Sequence, residues 1–293
     1  MNQHAVPFLS DKSTTGRANK RDSRWQRWSR WGIATGSRLA PDLAERWATH
    51  LFTTPEHTPA PEADQALLAT ARPFRVGRRA AWQWGRGRPV LLVHGWGGRG
   101  ADLARFAAPL VERGFSVITF DAPAHGVSPG FRATIGDFAD MIAAVTERVG
   151  APAAIVAHSF GGLAALLALK RGLETCSVVL IAPPSPQSRV ERFARELEVP
   201  APIVDGMMRR MEADLGERLE DVEARALSRD LRVPALVVHD RDDREVPWQA
   251  SAALVRDWEG ATLSRTEGLG HRGILRDASV AASVADFVAR HAA

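Results

Sequence analysis

The chain has 293 residues, 45% hydrophobic and 25% charged, enough apolar side chain for a sizeable core. Disordered, collagen-like and coiled-coil organisation are thereby excluded for its bulk. Cys176 is the only cysteine, which excludes an intramolecular disulfide and a cysteine-rich metal site, and the net charge of +4 divides into +5 over the first 50 residues and −1 over the rest, which argues against nucleic acid as a partner of the whole protein.

The Met1 end has no charged stretch followed by an apolar one, as a secretory signal would require. The longest apolar run, 153–169, is interrupted by His158, Ser159, Gly161 and Gly162, too broken to span a bilayer. A cytoplasmic location is the expectation.

Residues 1–22 are polar and aperiodic and read as a tail. Trp25, Trp28 and Trp31 follow at spacings of three, interleaved with Arg24, Arg27 and Arg30. Two roles fit this Arg/Trp segment: weak contact with an anionic membrane surface or nucleic acid, or a helix that lays its tryptophans on the main domain. The shortness of the stripe favours the second. A clearer helix opens at Pro41 and Asp42 and carries Leu43, Trp47 and Leu51 on one stripe.

From Pro73 the pattern changes. Residues 74–78 and 80–84 read as short strands joined by a glycine-containing turn. Apolar runs then recur at 90–93, 116–120, 154–157, 177–181 and 235–238. Helical stretches separate them at 101–113, 135–149 and 162–171, and another follows at 250–258. Continuous apolar strands alternating with amphipathic helices predict an α/β fold, a mostly parallel central sheet with helices on both faces. Residues 184–230 hold three helix-like pieces and no strand, which predicts a helical cap insertion over one edge of the sheet. The expected division is therefore an extension (1–72), a core (73–183 and 231–293) and a cap (184–230). Within the cap, Met207, Met208 and Met211 are candidates to line an apolar pocket, with packing among cap helices the plainer role.

Four loops carry the chemistry. Ala157-His158-Ser159-Phe160-Gly161 lies where a strand meets a helix, and its small outer residues let a serine occupy a tight turn with its hydroxyl exposed. His94-Gly95-Trp96-Gly97-Gly98 follows the strand 90–93 and can aim backbone N–H groups at a developing oxyanion. Gly95, Gly97 and Gly100, with Asp121 beyond them, also match a dinucleotide-binding loop. That alternative leaves three other loops unexplained. Asp240, Asp242 and Asp243 follow the strand 235–238, and His271 sits in the late glycine loop 268–272. A serine on a strand–helix turn, an acid after a later strand and a late histidine, in that chain order, form together the combination that acyl transfer requires. His125, in the loop 121–128, reads as framing the site floor.

Through VLLVHGWGG (90–98), DAPAHGVS (121–128), AHSFGG (157–162), VVHDRDDREVP (237–247) and GLGHRGIL (268–275), the chain resembles the α/β-hydrolase fold superfamily. The resemblance spans about residues 74–293. It implies Ser159 as nucleophile, His271 as base and Asp243 as its orienting acid, with the N–H groups of Trp96 and Phe160 as oxyanion hole. Asp243 is favoured over Asp240 and Asp242 by its spacing to Val246 and Pro247. The implied activity is hydrolysis of a small-to-medium carboxylic ester through an acyl-enzyme on Ser159, with a small acyl substrate as partner and neither cofactor nor metal. A thioesterase or a carbon–carbon bond hydrolase would use the same residues, and a ligand-binding protein could reuse the scaffold without catalysis. Serine at this position argues against the dehalogenase and epoxide-hydrolase branches, which place a carboxylate there. Oligomeric state is not legible.

Overall fold

In the computed structural model, residues 24–56 and 59–292 are described; the tail reading of 1–22 lies outside them. Three helices come first: α1 (Arg24–Leu39), α2 (Pro41–Thr53) and α3 (Glu62–Ala69). The sheet then begins with β1 (Arg72–Val76), β2 (Arg79–Trp84) and β3 (Pro89–Val93). A 3₁₀ segment at Gly100–Phe106 leads into α4 (Ala107–Glu112), so the stretch read as one helix is two. There follow β4 (Ser116–Phe120), α5 (Ile135–Val149), β5 (Ala154–His158), α6 (Phe160–Lys170) and β6 (Ser177–Ile181). Helices α7 (Pro186–Glu196), α8 (Ala201–Leu215) and α9 (Ala224–Ser228) fill the stretch before β7 (Ala235–Asp240). The chain closes with α10 (Trp248–Asp257), β8 (Ala261–Thr266), α11 (Gly270–Gly273) and α12 (Ala278–His291).

The eight strands form one sheet in the order β1-β2-β4-β3-β5-β6-β7-β8. β1 and β2 pair antiparallel, and every pair from β4 to β8 is parallel. Alternate residues of each inner strand enter opposite layers. Leu91, Ile155, Leu180 and Val237 pack under α5, α6 and α9, with Phe138, Leu163 and Leu227. Val90, Val156, Val179 and Leu236 pack under α4 and α12, with Leu110, Val284 and Val288. Both faces are covered, which is why these strands read as unbroken apolar runs. Each fully buried aliphatic side chain contributes about 1.5–3 kcal/mol relative to exposure. Helix α6 is buried along almost its whole length, between sheet and α5, and therefore shows no amphipathic stripe.

The N-terminal extension departs from expectation. Helices α1 and α2 form a hairpin against α8, around Ile33, Ala44, Ala48, Phe52, Val190, Ile203 and Met207. Gly206 permits the approach, since a Cβ there would meet Glu45 at 2.0 Å. Arg210 spans the same seam to Asp42 and Glu45, and Arg30 donates twice to the Glu196 carbonyl at 2.9 and 2.6 Å. Extension and cap insertion thus share one small core. Two of the tryptophans do not lie on the main domain: Trp28 and Trp31 are exposed, as are Leu43 and Trp47 of the stripe assigned to α2; the Trp25 side chain lies outside those described. Small residues, Ala44 and Ala48, face inward instead, because two helices this close leave no room for an indole. No helix among the described residues is long and apolar enough to cross a membrane.

Candidate active site

The parallel strands end together at one edge, and three loops leaving them bring Ser159, Asp243 and His271 into a line. Ser159 joins β5 to α6 with φ 51° and ψ −125°, a region a non-glycine residue enters only when surrounding structure holds it there. The Ser159 N–H donates to the Ile181 carbonyl at 2.8 Å, clamping the turn to β6. Gly161 is required: a Cβ there would stand 2.4 Å from the His94 carbonyl oxygen. The strained turn aims the hydroxyl out of the sheet, and Ser159 Oγ lies 3.0 Å from His271 Nε2.

On the other side of the imidazole, His271 Nδ1 is 2.7 Å from Asp243 Oδ2. The second carboxylate oxygen of Asp243 accepts the N–H groups of Glu245 and Val246 at 2.8 and 2.9 Å. His239 Nε2 approaches Asp243 at 3.3 Å. Burial alone would raise the Asp243 carboxyl, but the hydrogen bonds from His239, His271 and Val246 outweigh it and hold it well below the usual carboxylate range. A carboxylate fixed in this way sets the tautomer of His271, with the proton on Nδ1 and the Nε2 lone pair facing Ser159.

Asp240 ends β7 inside the protein, buried rather than solvated. Its carboxylate accepts from Thr266 Oγ1 (2.7 Å), Leu269 N–H (3.1 Å), Gly270 N–H (3.0 Å) and Asp242 N–H (3.0 Å). Asp242 accepts from Gly268 N–H at 2.9 Å. Both acids shape the loop that carries His271, and neither hydrogen-bonds its ring. Asp240→Asn turns one acceptor oxygen into a donor facing donors. It is expected to cost about 1–3 kcal/mol of stability by denaturant unfolding, with kcat for an ester falling less than tenfold.

Two buried histidines stiffen the site. His158 Nε2 donates to the His271 carbonyl at 3.0 Å, and burial lowers its pKa to about 3, keeping it neutral. His94 Nδ1 donates to the Gly95 carbonyl while Nε2 accepts the Ala122 N–H. Burial lowers its pKa to about 4, so the accepting nitrogen stays free of a proton. Asp121, the acid of the dinucleotide alternative, accepts the N–H groups of Gly100 and Val127 instead, tying together the loops beside the site. The sequence gives no sign of the roles of His239 and His158, because a histidine next to a motif carries no signal of what lies across the fold from it.

Phe160 opens α6, so its N–H has no carbonyl one turn back to bond. The Trp96 ring packs edge-to-face on Phe160 and on His125, at 5.2 Å in each case. His125 is buried against Trp96, His94 and Phe138, a packing position away from Ser159. The serine opens into a cavity of about 280 Å³ whose lining includes Trp96, Phe160, Arg189, Arg192, Val246 and Leu275. Pro59, Pro61 and Asp64 of the extension also line it, a contribution invisible in a segment without motifs. The cap methionines do not reach this cavity. Met207 is fully buried between cap and hairpin with Met208 beside it, whereas Met211 lines a separate apolar cavity of about 50 Å³ next to Phe160.

The sequence model of the alpha/beta hydrolase family matches residues 90–283. A pimeloyl-[acyl-carrier protein] methyl ester esterase of Neisseria meningitidis serogroup B is 28% identical over 243 residues, 69% of this chain and 93% of that enzyme. An enzyme of the same name from Chromobacterium violaceum is 42% identical over 82 residues, a stretch covering 28% of this chain and only 31% of that relative. The solved esterase EaEST from Exiguobacterium antarcticum superposes with a TM-score of 0.55 at 19% identity, over 72% of this chain and 96% of that one; at this identity the likeness is one of fold. With the family model spanning more than half of the sequence and the sheet order in agreement, the chain belongs to the alpha/beta hydrolase family.

Proposed function

We propose that the protein hydrolyses a small-to-medium carboxylic ester through an acyl-enzyme on Ser159. The observation that carries this reading is the continuous hydrogen-bonded line from Ser159 Oγ through His271 to Asp243, at 3.0 and 2.7 Å. A binding protein on the same scaffold would have no need to hold that serine and histidine within hydrogen-bonding reach. The relatives named as methyl ester esterases support an ester as substrate.

In this scheme Oγ attacks the acyl carbonyl carbon as its proton passes to His271 Nε2. The resulting oxyanion sits against the N–H groups of Trp96 and Phe160. Collapse breaks the bond to the leaving oxygen, which takes the proton from Nε2 and departs as an alcohol. Water then attacks the acyl-enzyme, giving its proton to Nε2, and the second collapse returns that proton to Oγ and frees the acid. Asp243 stays ionised throughout, holding the imidazole and stabilising its cation.

Labelling by a fluorophosphonate probe and hydrolysis of short p-nitrophenyl esters test the proposal. Both are expected in the unmodified enzyme. A folded protein inert to both would overturn it.

A further inference from the structure

Arginines crowd the mouth of the Ser159 cavity, and most of them meet carboxylates. Arg192 and Arg272 share Glu245 at 3.5 and 3.8 Å, and Arg276 meets Asp64 at 3.6 Å. Arg189 differs. Among the described residues its guanidinium has no acidic partner; Nη2 donates to the Phe52 carbonyl at 2.9 Å. Its Cζ lies 3.9 Å from the centre of the Phe52 ring, 4.0 Å from that of Trp96 and 5.3 Å from that of Phe160. Two of those rings belong to the residues whose N–H groups face the reacting carbonyl in the scheme above. The remaining donors belong to a side chain that lines the cavity shared with Ser159.

Arg189 is half-buried, and taking a guanidinium even partly out of water is costly unless an anion or several acceptors compensate. Burial, with Arg192 nearby, lowers the Arg189 pKa only to about 9, so it remains a cation at neutral pH. The aromatic faces stabilise it in part, and its planar fork is matched to a bidentate oxyanion.

We propose that Arg189 is a binding residue for a second, negatively charged group on the substrate, so that the enzyme prefers esters whose acyl part carries a carboxylate or phosphate. This rests on the ester-hydrolase reading for its substrate, though not for the anion site itself. The test compares three substrates of similar length: mono-p-nitrophenyl glutarate, its neutral methyl ester, and p-nitrophenyl 3-phosphonopropionate. The unmodified enzyme is expected to favour at least one anionic ester over the neutral one by about tenfold or more in kcat/KM. The phosphonate arm tells carboxylate from phosphate recognition. Arg189→Gln should bring that ratio close to one, mainly through KM, and Arg189→Lys should keep part of it. No preference in the unmodified enzyme, or a ratio unchanged in Arg189→Gln while all rates fall together, would overturn the proposal and leave Arg189 as a tie between cap and extension. Binding of monomethyl glutarate to Ser159→Ala, measured by calorimetry against dimethyl glutarate, reads the anion site without turnover. Arg189-dependent binding in a protein that hydrolyses no ester would keep this proposal and sink the ester reading.

The outer face of the α1–α2 hairpin carries an independent observation. Trp28, Trp31, Leu39, Leu43 and Trp47 are all between 40% and 80% exposed. Trp28 and Trp31 stack edge-to-face at 6.2 Å. The Trp47 ring lies against Gly32, where a Cβ would stand 2.0 Å from it, so the indoles of both helices form one patch. Arg27 and Arg38 of α1 are exposed as well, whereas Arg30 turns to the Glu196 carbonyl. Exposed indoles beside arginines complement a bilayer surface, where the rings enter the headgroup region and the cations meet lipid phosphates.

We infer that this face docks on anionic lipid. Co-sedimentation of the full chain is expected with phosphatidylcholine vesicles containing phosphatidylglycerol and not with phosphatidylcholine alone. The exposed-site double variant Trp28→Ser/Trp31→Ser should weaken it at least about tenfold while leaving the melting temperature in place. Absence from both pellets, or pelleting indifferent to the double substitution, would overturn the inference. A dimer in light scattering that the double substitution dissolves would do so too, assigning the face to a second copy.

Discussion

Ser159→Ala is expected to lower kcat for a short p-nitrophenyl ester on the order of 10⁶-fold, about 8 kcal/mol of barrier. In the proposed scheme the hydroxyl oxygen is the atom that becomes bonded to the acyl group, and no other nucleophile stands within hydrogen-bonding reach of His271 Nε2 among the described residues. Residual catalysis would come from the oxyanion-facing N–H groups and from substrate binding, both left in place. The substitution removes one hydrogen bond at a half-buried position and keeps a Cβ, so the fold should persist. KM should change little by comparison. Stopped assays on the purified variant, with its unfolding curve alongside, check both statements. A loss of less than about a hundredfold in a folded variant would mean that Ser159 is not the nucleophile.

Asp243→Asn should reduce kcat by about 10⁴, roughly 5 kcal/mol. The amide oxygen can still accept from Glu245 and Val246, so the loop keeps its shape. The amide nitrogen then faces His271 Nδ1 as a donor. That forces the opposite tautomer, with a proton on Nε2, which can no longer take one from Ser159. His239, also pointed at this carboxylate, would meet the same mismatch and add a smaller structural cost. The variant also bears on acid stability. Because its carboxyl is held below the ordinary range, Asp243 stabilises the fold above the unfolded value near 4, and this contribution is lost as the pH falls. The acid limb of the unfolding curve should therefore be shallower in Asp243→Asn. Near-normal turnover in the folded variant would refute the assignment.

The core was legible because the inner strands are buried on both faces, and β3, β5, β6 and β7 each announce themselves as apolar β-branched runs. Helix α5 was equally plain, since the Thr134 cap and Asp137 three residues later bond each other's backbone. Strand β8 is not legible in the sequence. It lies at the sheet edge, and its sequence ATLSRT has few apolar residues and only partly buried side chains. The site divides in the same way. Ser159 and the acid-bearing loop sit in strand–turn contexts dictated by local chemistry. Asp240 is set apart from Asp243 by its place at the strand end, yet its four donors, contributed by its own loop and by Thr266, Leu269 and Gly270, are set by the pairing of β7 with β8. The extension is harder to read because α2 turns Leu43 and Trp47 outward while Ala44, Ala48 and Phe52 face the shared core, so its largest side chains do not mark its buried face. Nothing in residues 41–64 alone shows that Phe52 would anchor Arg189 or that Pro59 and Pro61 would reach the Ser159 cavity.

The central claim is a covalent acyl-enzyme on Ser159. Rapid acid quench of the enzyme with excess p-nitrophenyl ester, followed by peptide mass spectrometry, reads it directly. The expected result is a mass increase equal to the acyl group minus one hydrogen, located on Ser159 and absent from Ser159→Ala. An unmodified Ser159 during turnover in which Asp243→Asn slows product formation without building any adduct, or an acyl group found on another residue, would contradict it.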